Sequence, residues 1–418
     1  MPAMPIFRRM QSPYPSWVGS LQSAYRLSSP VLAIDPYNTR YFRAGSPRSV
    51  SDALSTDWAG GGLILGADGA YQSFSANQAP VLSGVGLDVW KNFTNGFADP
   101  EDFTTASWTK NGGATVIADA APAPDGTTTM DKIVEGSGAG SIAQVNQAVT
   151  HTTGVKKLAM AHVKAAELDW FKIGFSSALG SGVAFFDLTN GVVGTTSNLV
   201  SYGMVPLADG SYICYAITSP TGSGSYPIYL GFGATDNFAP HTGDGVSGGY
   251  LWGTMAVDSA IRLPYAPATR YAINATDPDF AALASAYGLS SGLKIGASIS
   301  LDRLSDPADR CVWSLGADAD NCARIDVTTS NTAKFTLRAS ASDVLTMETT
   351  AFGSTGDKAI TATLKDGAWA LEATGVTGDS DAGSYGLPTL SSFRYGSKFG
   401  NSAYLNGDLN NLVLGRAA

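Results

Sequence analysis

Residues 293–301 read Leu-Lys-Ile-Gly-Ala-Ser-Ile-Ser-Leu, with Leu293, Ile295, Ala297, Ile299 and Leu301 at every second position. Successive side chains of a strand point to opposite faces, so this spacing predicts a half-buried β-strand. Punctuated strands continue beyond it. Phe335 and Leu337 follow a turn at Ser330-Asn331, and Leu364-Lys365-Asp366-Gly367-Ala368-Trp369 carries the Asp-Gly signal of a tight hairpin. Final strands run through Tyr404, Asn406-Gly407 and Leu412 to Leu414. Residues 267–418 therefore read as an antiparallel β-sandwich.

On the N-terminal side of that strand stands one helical pattern, DPDFAALASAYG at 277–288. Asp277 suits an N-cap, Pro278 the first helical position and Gly288 the stop, while Phe280, Leu283, Ala284 and Tyr287 share a face. The helix is expected to join two sandwiches. Residues 96–266 show short apolar runs, among them Leu158 to Val163, Trp170 to Phe175, Val183 to Phe186, Tyr212 to Ile217 and Ile228 to Phe232, separated by Gly, Ser, Thr and Asn. Strands at this spacing imply a first sandwich.

Residues 46–95 read as a β lead-in punctuated by Gly60-Gly61-Gly62, Gly66-Ala67-Asp68-Gly69 and Pro80. Residues 1–45 show no sustained period and are broken by proline, which describes an extended arm. Its aromatics, including Phe7, Tyr14, Trp17 and Tyr25, are too many for a solvated linker, so they anchor either into a partner or into the chain's own body. Phe7, Arg8, Arg9, Tyr14 and Trp17 are the candidate docking residues.

Composition agrees with this all-β class. Gly 48 and Pro 20 in 418 residues exceed the usual combined share of roughly 12%, and charged residues make 15% against a typical ~25%. With 44% hydrophobic residues the chain can still bury substantial cores, which argues against generic disorder. A net charge of −9 repels phosphate backbones and anionic lipid heads, so neither nucleic acid nor membrane insertion is expected. No stretch of 18 apolar residues occurs, and the proline-broken start has no signal-peptide core, so synthesis in the cytoplasm without a signal peptide is expected.

Catalytic signatures are weak. Cys214, Cys311 and Cys322 include no C-x-x-C; Cys311 and Cys322 could pair, but reduced, buried thiols are the expectation. His151, His162 and His241 form no metal-ligand spacing. Gly245-Val246-Ser247-Gly248-Gly249 matches G-x-S-x-G, yet no histidine follows Ser247, so it reads as a turn. Loose carboxylates such as Asp99, Glu101, Asp236 and Asp244 form no recognisable glycosidase pair. No cofactor is expected; calcium stays open at Asp318-Ala319-Asp320-Asn321 and Asp379-Ser380-Asp381, where solvated turns are favoured.

Recognition remains. Saccharides are held in water by aromatic faces with a few hydrogen-bonding side chains, which sandwiches present on loops or on a sheet face. Trp170, Tyr226, Tyr229, Asp236 and Asn237 are the candidate glycan ligands, whereas Trp108, Trp252, Trp313 and Trp369 lie inside apolar runs and are expected in cores.

The stretch EDFTTASWTKNGGATVIADAAPAPDGTTTMDKIVE at 101–135 resembles the opening of a carbohydrate-binding-module-like jelly-roll domain of tailed-phage virion proteins. The similarity continues in order through AFFDLTNGVVGT (184–195), LADGSYICYAIT (207–218) and DGVSGGYLWGTMAVDSA (244–260), and GADGAYQSFSANQAPVL (66–82) resembles the strand pair before that domain. SSFRYGSKFGNSAYLNGDLNNLVL (391–414) is similar to the last strands of concanavalin-like, laminin-G-like sandwiches. Ser211 stands where the jelly-roll family usually has Trp, and Trp90-Lys91-Asn92-Phe93 replaces its usual Arg-Thr-Asn-Leu.

What the resemblance implies is two antiparallel β-sandwiches, a jelly roll and a concanavalin-like domain, preceded by an extended arm, in a phage or phage-like fibre or spike protein. The expected partners are other virion proteins (portal, capsid or tail) and host-surface polysaccharide, in a homo-oligomer with a trimer favoured and no enzymatic activity. A purely structural decoration protein and a polysaccharide-degrading enzyme are the alternatives.

Overall fold

The computed structural model describes residues 15–27, 29–238, 241–301, 308–399 and 403–417. Strands dominate, and the α-helices among the described residues are Ser16–Ala24, Val50–Ala53 and Phe280–Ala286. The chain forms two units, each an antiparallel β-sandwich and each discontinuous in sequence. One comprises Met1–Trp58, Asn77–Lys91 and Ile273–Ala418, the other Ala59–Ala76 and Asn92–Ala272.

In the first unit the Leu293–Leu301 strand sits in the middle of a large sheet, between Gly356–Leu364 (Leu293 opposite Leu364) and Gly407–Arg416 (Ile295 opposite Leu414). Its five alternating apolar residues are at most 1% exposed. Burying each such Leu or Ile contributes roughly 1.5–3 kcal/mol, which fixes the register, since a one-residue slip would turn all of them to the other face. A seven-stranded sheet covers this one, and Phe335 and Trp369 meet across the interior at 6.1 Å between ring centroids. The Asp-Gly hairpin forms as expected, with Thr363 opposite Ala370 and Gly367 at φ +75°.

Three expectations are corrected here. Residues 16–45 are not an extended arm: they form helix Ser16–Ala24 and the strands Ser29–Asp35 and Arg40–Arg43. Ser29–Asp35 pairs antiparallel with the last strand, Ile34 opposite Leu412, and Val31, Leu32, Ile34 and Phe42 are buried. The apolar surface of the segment thus finds its partner in the chain's own C-terminus. Trp17 lies in the helix, 5.2 Å from the Arg40 guanidinium; Phe7, Arg8, Arg9 and Tyr14 lie outside the described residues. Residues 46–95 are no separate lead-in, because their strands are divided between the two units.

The third concerns the helix at Phe280. Asp279, not Asp277, precedes its first turn, and Asp277 is buried with its carboxylate 2.8 Å from Arg43 Nη2. Pro278 accordingly falls before the helix, and Tyr287 is an exposed C-cap, whereas Phe280, Leu283 and Ala284 are buried as the spacing requires.

The second unit stacks two six-stranded sheets. One runs Thr109–Asn111, Ala143–His151, Gly224–Gly233, Trp170–Phe175, Val183–Asp187, Val192–Ser197; the other runs Thr115–Ala121, Met130–Val134, Gly248–Asp258, Lys157–Ala165, Tyr212–Thr218, Ser201–Pro206. Val145, Phe171, Ile173, Leu230 and Phe232 of the first sheet share a core with Ile133, Ala159, Ala161, Cys214 and Leu251 of the second. Trp108, Trp252, Trp313 and Trp369 are all buried.

Among the buried polar groups of this unit, one histidine lies within a cluster of aromatic rings, those of Tyr71, Trp252 and Tyr265. His162 is fully buried, with Nδ1 2.9 Å from the Gly253 carbonyl and Nε2 2.8 Å from Tyr71 Oη. A carbonyl only accepts, so Nδ1 carries the proton and Nε2 accepts from the phenol. Burial drives the ring's pKa down to about 4.

Cys214, Cys311 and Cys322 are buried free thiols. Cys311 and Cys322 lie on adjoining strands but oppose Asp326 and Gly316, so their register keeps them apart.

Candidate functional site

Because side chains alternate, placing Phe171, Ile173 and Phe175 in the core turns Trp170, Lys172 and Gly174 outward. The neighbouring strands obey the same parity, so the outer face of the sheet is a grid of known register. One row carries Thr109, Asn146, Tyr229 and Gly174; the next carries Asn111, Gln144, Gly231, Lys172 and Phe185; a third carries Gly233, Trp170 and Asp187.

The glycines shape this grid. Gly231 lies directly between Gln144 and Lys172, and a Cβ there would come within 3.1 Å of the Gln144 side chain. With no side chain in the way, Lys172 Nζ reaches across the strand and donates to Gln144 Oε1 at 2.6 Å. Gln144 Nε2 in turn donates to Asn111 Oδ1 at 3.4 Å, and Asn146 Nδ2 donates to the same oxygen. The relay fixes four side chains and leaves Asn146 Oδ1, Asn111 Nδ2 and the Tyr229 hydroxyl without a partner among the described residues. Burial lowers the Lys172 pKa from its ordinary value. Its ammonium also lies 5.3 Å from the centre of the Phe238 ring, which meets Phe185 edge-on at 5.1 Å.

Gly233 seats Phe238, since a Cβ on Gly233 would fall 2.5 Å from that ring. Beside it opens a cavity of about 320 Å³ lined by Ile142, Phe232, Phe238, Ser141, Thr235 and His241. His241 Nε2 is 2.6 Å from Glu135 Oε2, and that buried carboxylate also accepts from the Asp244 amide at 3.0 Å.

Of the sequence candidates, Trp170 and Asp236 converge on Gly194, where a Cβ would meet the Trp170 ring at 2.4 Å and Asp236 Oδ1 at 2.9 Å. The Asp236 carboxylate accepts from the Thr195 amide at 3.1 and 3.0 Å and from its hydroxyl at 2.9 Å, tying the 234–238 turn to strand Val192–Ser197. Asn237 is exposed in that turn at φ +60°. Tyr229 shares the sheet face with Trp170. Tyr226 does not join them: it sits at the far end of its strand, exposed and 5.3 Å from the His151 ring.

No local pattern in the sequence singles out Asn111, Gln144, Asn146, Lys172, Phe185 or Phe238. Parity in WFKIGF places Lys172 on the same side as Trp170, which is the one signal that was legible; the amide partners come from strands far away in the chain.

The other motifs resolve into turns. Ser247 Oγ donates to Asp244 Oδ2 at 2.7 Å, and the Asp244 carboxylate, held near pKa 2 by amide and hydroxyl donors from Ser247 and Val246, closes that turn. Asp318 Oδ1 accepts from the Asp320 and Asn321 amides, and Asp381 Oδ1 from the Gly383 amide. Among the described residues no group of three or more His, Cys, Asp and Glu side chains is placed to hold a metal ion, and no helix is long and apolar enough to cross a membrane.

No family model matches the chain, and no curated protein matches it. Solved structures that resemble parts of it include the carbohydrate-binding module (CBM40) of the Ruminococcus gnavus IT-sialidase bound to α2,3-sialyllactose, at 14% identity and TM-score 0.28 over 34% of this chain and 85% of that one. Domains LG4-5 of the mouse laminin α1 chain align at 10% identity and TM-score 0.23 over 76% of this chain and 91% of that one.

Proposed function

We propose that the protein binds saccharide through the outer face of the six-stranded sheet in its second unit. The observation that carries this reading is the relay Lys172, Gln144, Asn111, Asn146, held rigid over a glycine floor beside Tyr229 and Trp170. A sugar ring presents hydroxyl donors and acceptors at its rim and C–H groups on its faces. The relay offers an amide oxygen, an amide nitrogen and an ammonium to the first, and the aromatic rings pack against the second. Side chains already fixed by their neighbours lose little entropy when a ligand arrives.

The wider setting we propose is a fibre or spike protein of a phage or phage-like particle that meets host-surface polysaccharide, with binding rather than turnover as its task. Its support is the ordered sequence resemblance at 101–135, 184–195, 207–218 and 244–260. Particle attachment is then assigned to the segment that holds Phe7, Arg8, Arg9 and Tyr14. Display in several copies, in a homo-oligomer, would turn weak single sites into avidity.

The test is binding of the full chain to purified envelope polysaccharides from candidate hosts, with Tyr229→Ala and Lys172→Ala beside it. Saturable binding that weakens at least tenfold in both variants is expected, the loss of about 1.4 kcal/mol or more per variant that an ordered hydrogen bond or an aromatic contact supplies. Binding that both variants retain at full strength would remove this face as the site.

A further inference from the structure

We infer that the first unit carries a second ligand site, specific for an uncharged saccharide, in the cleft beside helix Ser16–Ala24. The cleft has a volume of about 440 Å³, within the range of small-molecule sites. Three parts of the chain build it. The helix supplies Trp17 and Leu21, the turn after strand Ser29–Asp35 and the start of strand Arg40–Arg43 supply Tyr37 and Arg40, and the rest of the sheet supplies Ser298, Asp357, Asn410 and Asn411.

The sheet side of the cleft is built by a β-bulge. Ile299 opposes Leu409 and Ser298 opposes Asn411, so Asn410 is an extra residue with no partner in the ladder. Such bulges re-aim side chains and are over-represented beside binding sites. Here the bulge brings two consecutive asparagines to one cleft, which a regular strand would send to opposite faces. Asn410 is only 6% exposed; its Nδ2 donates to Ser300 Oγ at 2.9 Å and Asp357 Oδ1 at 3.1 Å, and its Oδ1 has no hydrogen-bond partner among the described residues. A buried carbonyl oxygen without a donor is costly, and a ligand hydroxyl that reached it would relieve that cost. Asn411 Oδ1 accepts from Tyr25 Oη at 2.9 Å, which fixes the amide and leaves Nδ2 as a donor.

Charge selects the class of ligand. Arg40 is ion-paired with buried Asp35, whose carboxylate also accepts from Asn38, so the cation is already neutralised. Asp357 remains as an exposed negative charge, which disfavours phosphates, uronates and other anions. An apolar ligand would strand these amides and carboxylates. An uncharged polyhydroxyl ring suits the set, with Tyr37, 44% exposed, as the aromatic platform. This inference stands independently of the sheet face in the second unit, because no residue is shared.

The experiment is calorimetric titration of the full chain with maltotriose, cellotriose, lactose and chitotriose, with trigalacturonate as the anionic comparison. At least one neutral sugar is expected to bind saturably. Tyr37→Ala is expected to weaken it at least fivefold; so is Asn411→Asp, which keeps the acceptor for Tyr25 but removes the Nδ2 donor. Tyr287→Ala, exposed at the end of helix Phe280–Ala286 and outside the cleft, is expected to leave this binding unchanged. Absence of binding by all four neutral sugars up to 10-fold above a ~1 mM dissociation constant, the weak end of specific affinity, would overturn the inference. So would preference for trigalacturonate, or neutral-sugar binding that Tyr37→Ala and Asn411→Asp both retain at full strength.

Discussion

Asp277→Ala is expected to destabilise the first unit by about 3–5 kcal/mol, the usual cost of removing one partner from a buried ion pair. Asp277 and Arg43 have side chains 0% and 8% exposed, and among the described residues Arg43 would be left with Asp279 as its one acidic partner, 3.6 Å from its Nη1 and 73% exposed. Burial outweighs the favourable pull of Arg43 and raises the Asp277 pKa, so the pair is held by geometry against a desolvation cost. The magnitude discriminates between two roles. Loss of an N-cap costs typically about 1 kcal/mol, and Asp279, which precedes the helix without making a side-chain cap hydrogen bond, should give within about 0.5 kcal/mol when changed to alanine. Denaturant unfolding followed by amide exchange in strand Arg310–Gly316 reads the first unit alone, because a chain of two units need not unfold in one step. Equal, small effects of Asp277→Ala and Asp279→Ala would refute the buried-pair role.

Acid should destabilise the second unit through His162. Its pKa is about 4 in the folded chain and about 6.5 when exposed, so between those values the unfolded chain binds a proton that the folded chain excludes. The contribution is fully present above pH 6.5, is lost as pH falls towards 4, and amounts to about 3 kcal/mol. Glu101 and Asp131 in the same unit have pKa values raised mainly by burial, which gives them the opposite sign: they favour the folded state as pH falls through the carboxylate range. Comparison of the native chain with His162→Gln separates the two. The variant should lack the fall in stability between pH 6.5 and 4.5, whereas parallel pH profiles for both proteins would show that the ring is protonated without penalty.

Local pattern made much of the fold legible. The strict alternation of 293–301 names a strand and its buried face, and the Asp-Gly at 366–367 names a hairpin, because each depends on a few adjacent residues. What the sequence hides is which distant segment supplies the partner. Val31, Leu32, Ile34 and Phe42 show the need for an apolar surface, but nothing local says that it is strand Gly407–Arg416. Asp277 illustrates the same limit: Asp-Pro before an apolar run has the local form of a cap, and only the fold brings Arg43 to it.

The site divides likewise. Trp170 and Tyr229 are legible as aromatics in polar surroundings, whereas the relay depends on a sheet order in which Gly224–Gly233 separates Ala143–His151 from Trp170–Phe175. Gly231 means little in sequence; between Gln144 and Lys172 it is the residue that lets them meet.

The most direct test of saccharide binding at the sheet face is a titration of the ¹⁵N-tryptophan-labelled protein with fragments of host envelope polysaccharide, read at the indole N–H groups. A saccharide seated on this face shifts the Trp170 signal saturably while those of buried Trp58, Trp108, Trp252, Trp313 and Trp369 stay in place. Saturable binding with an unmoved Trp170 signal, or no binding to any host polysaccharide even at multivalent display, would contradict it.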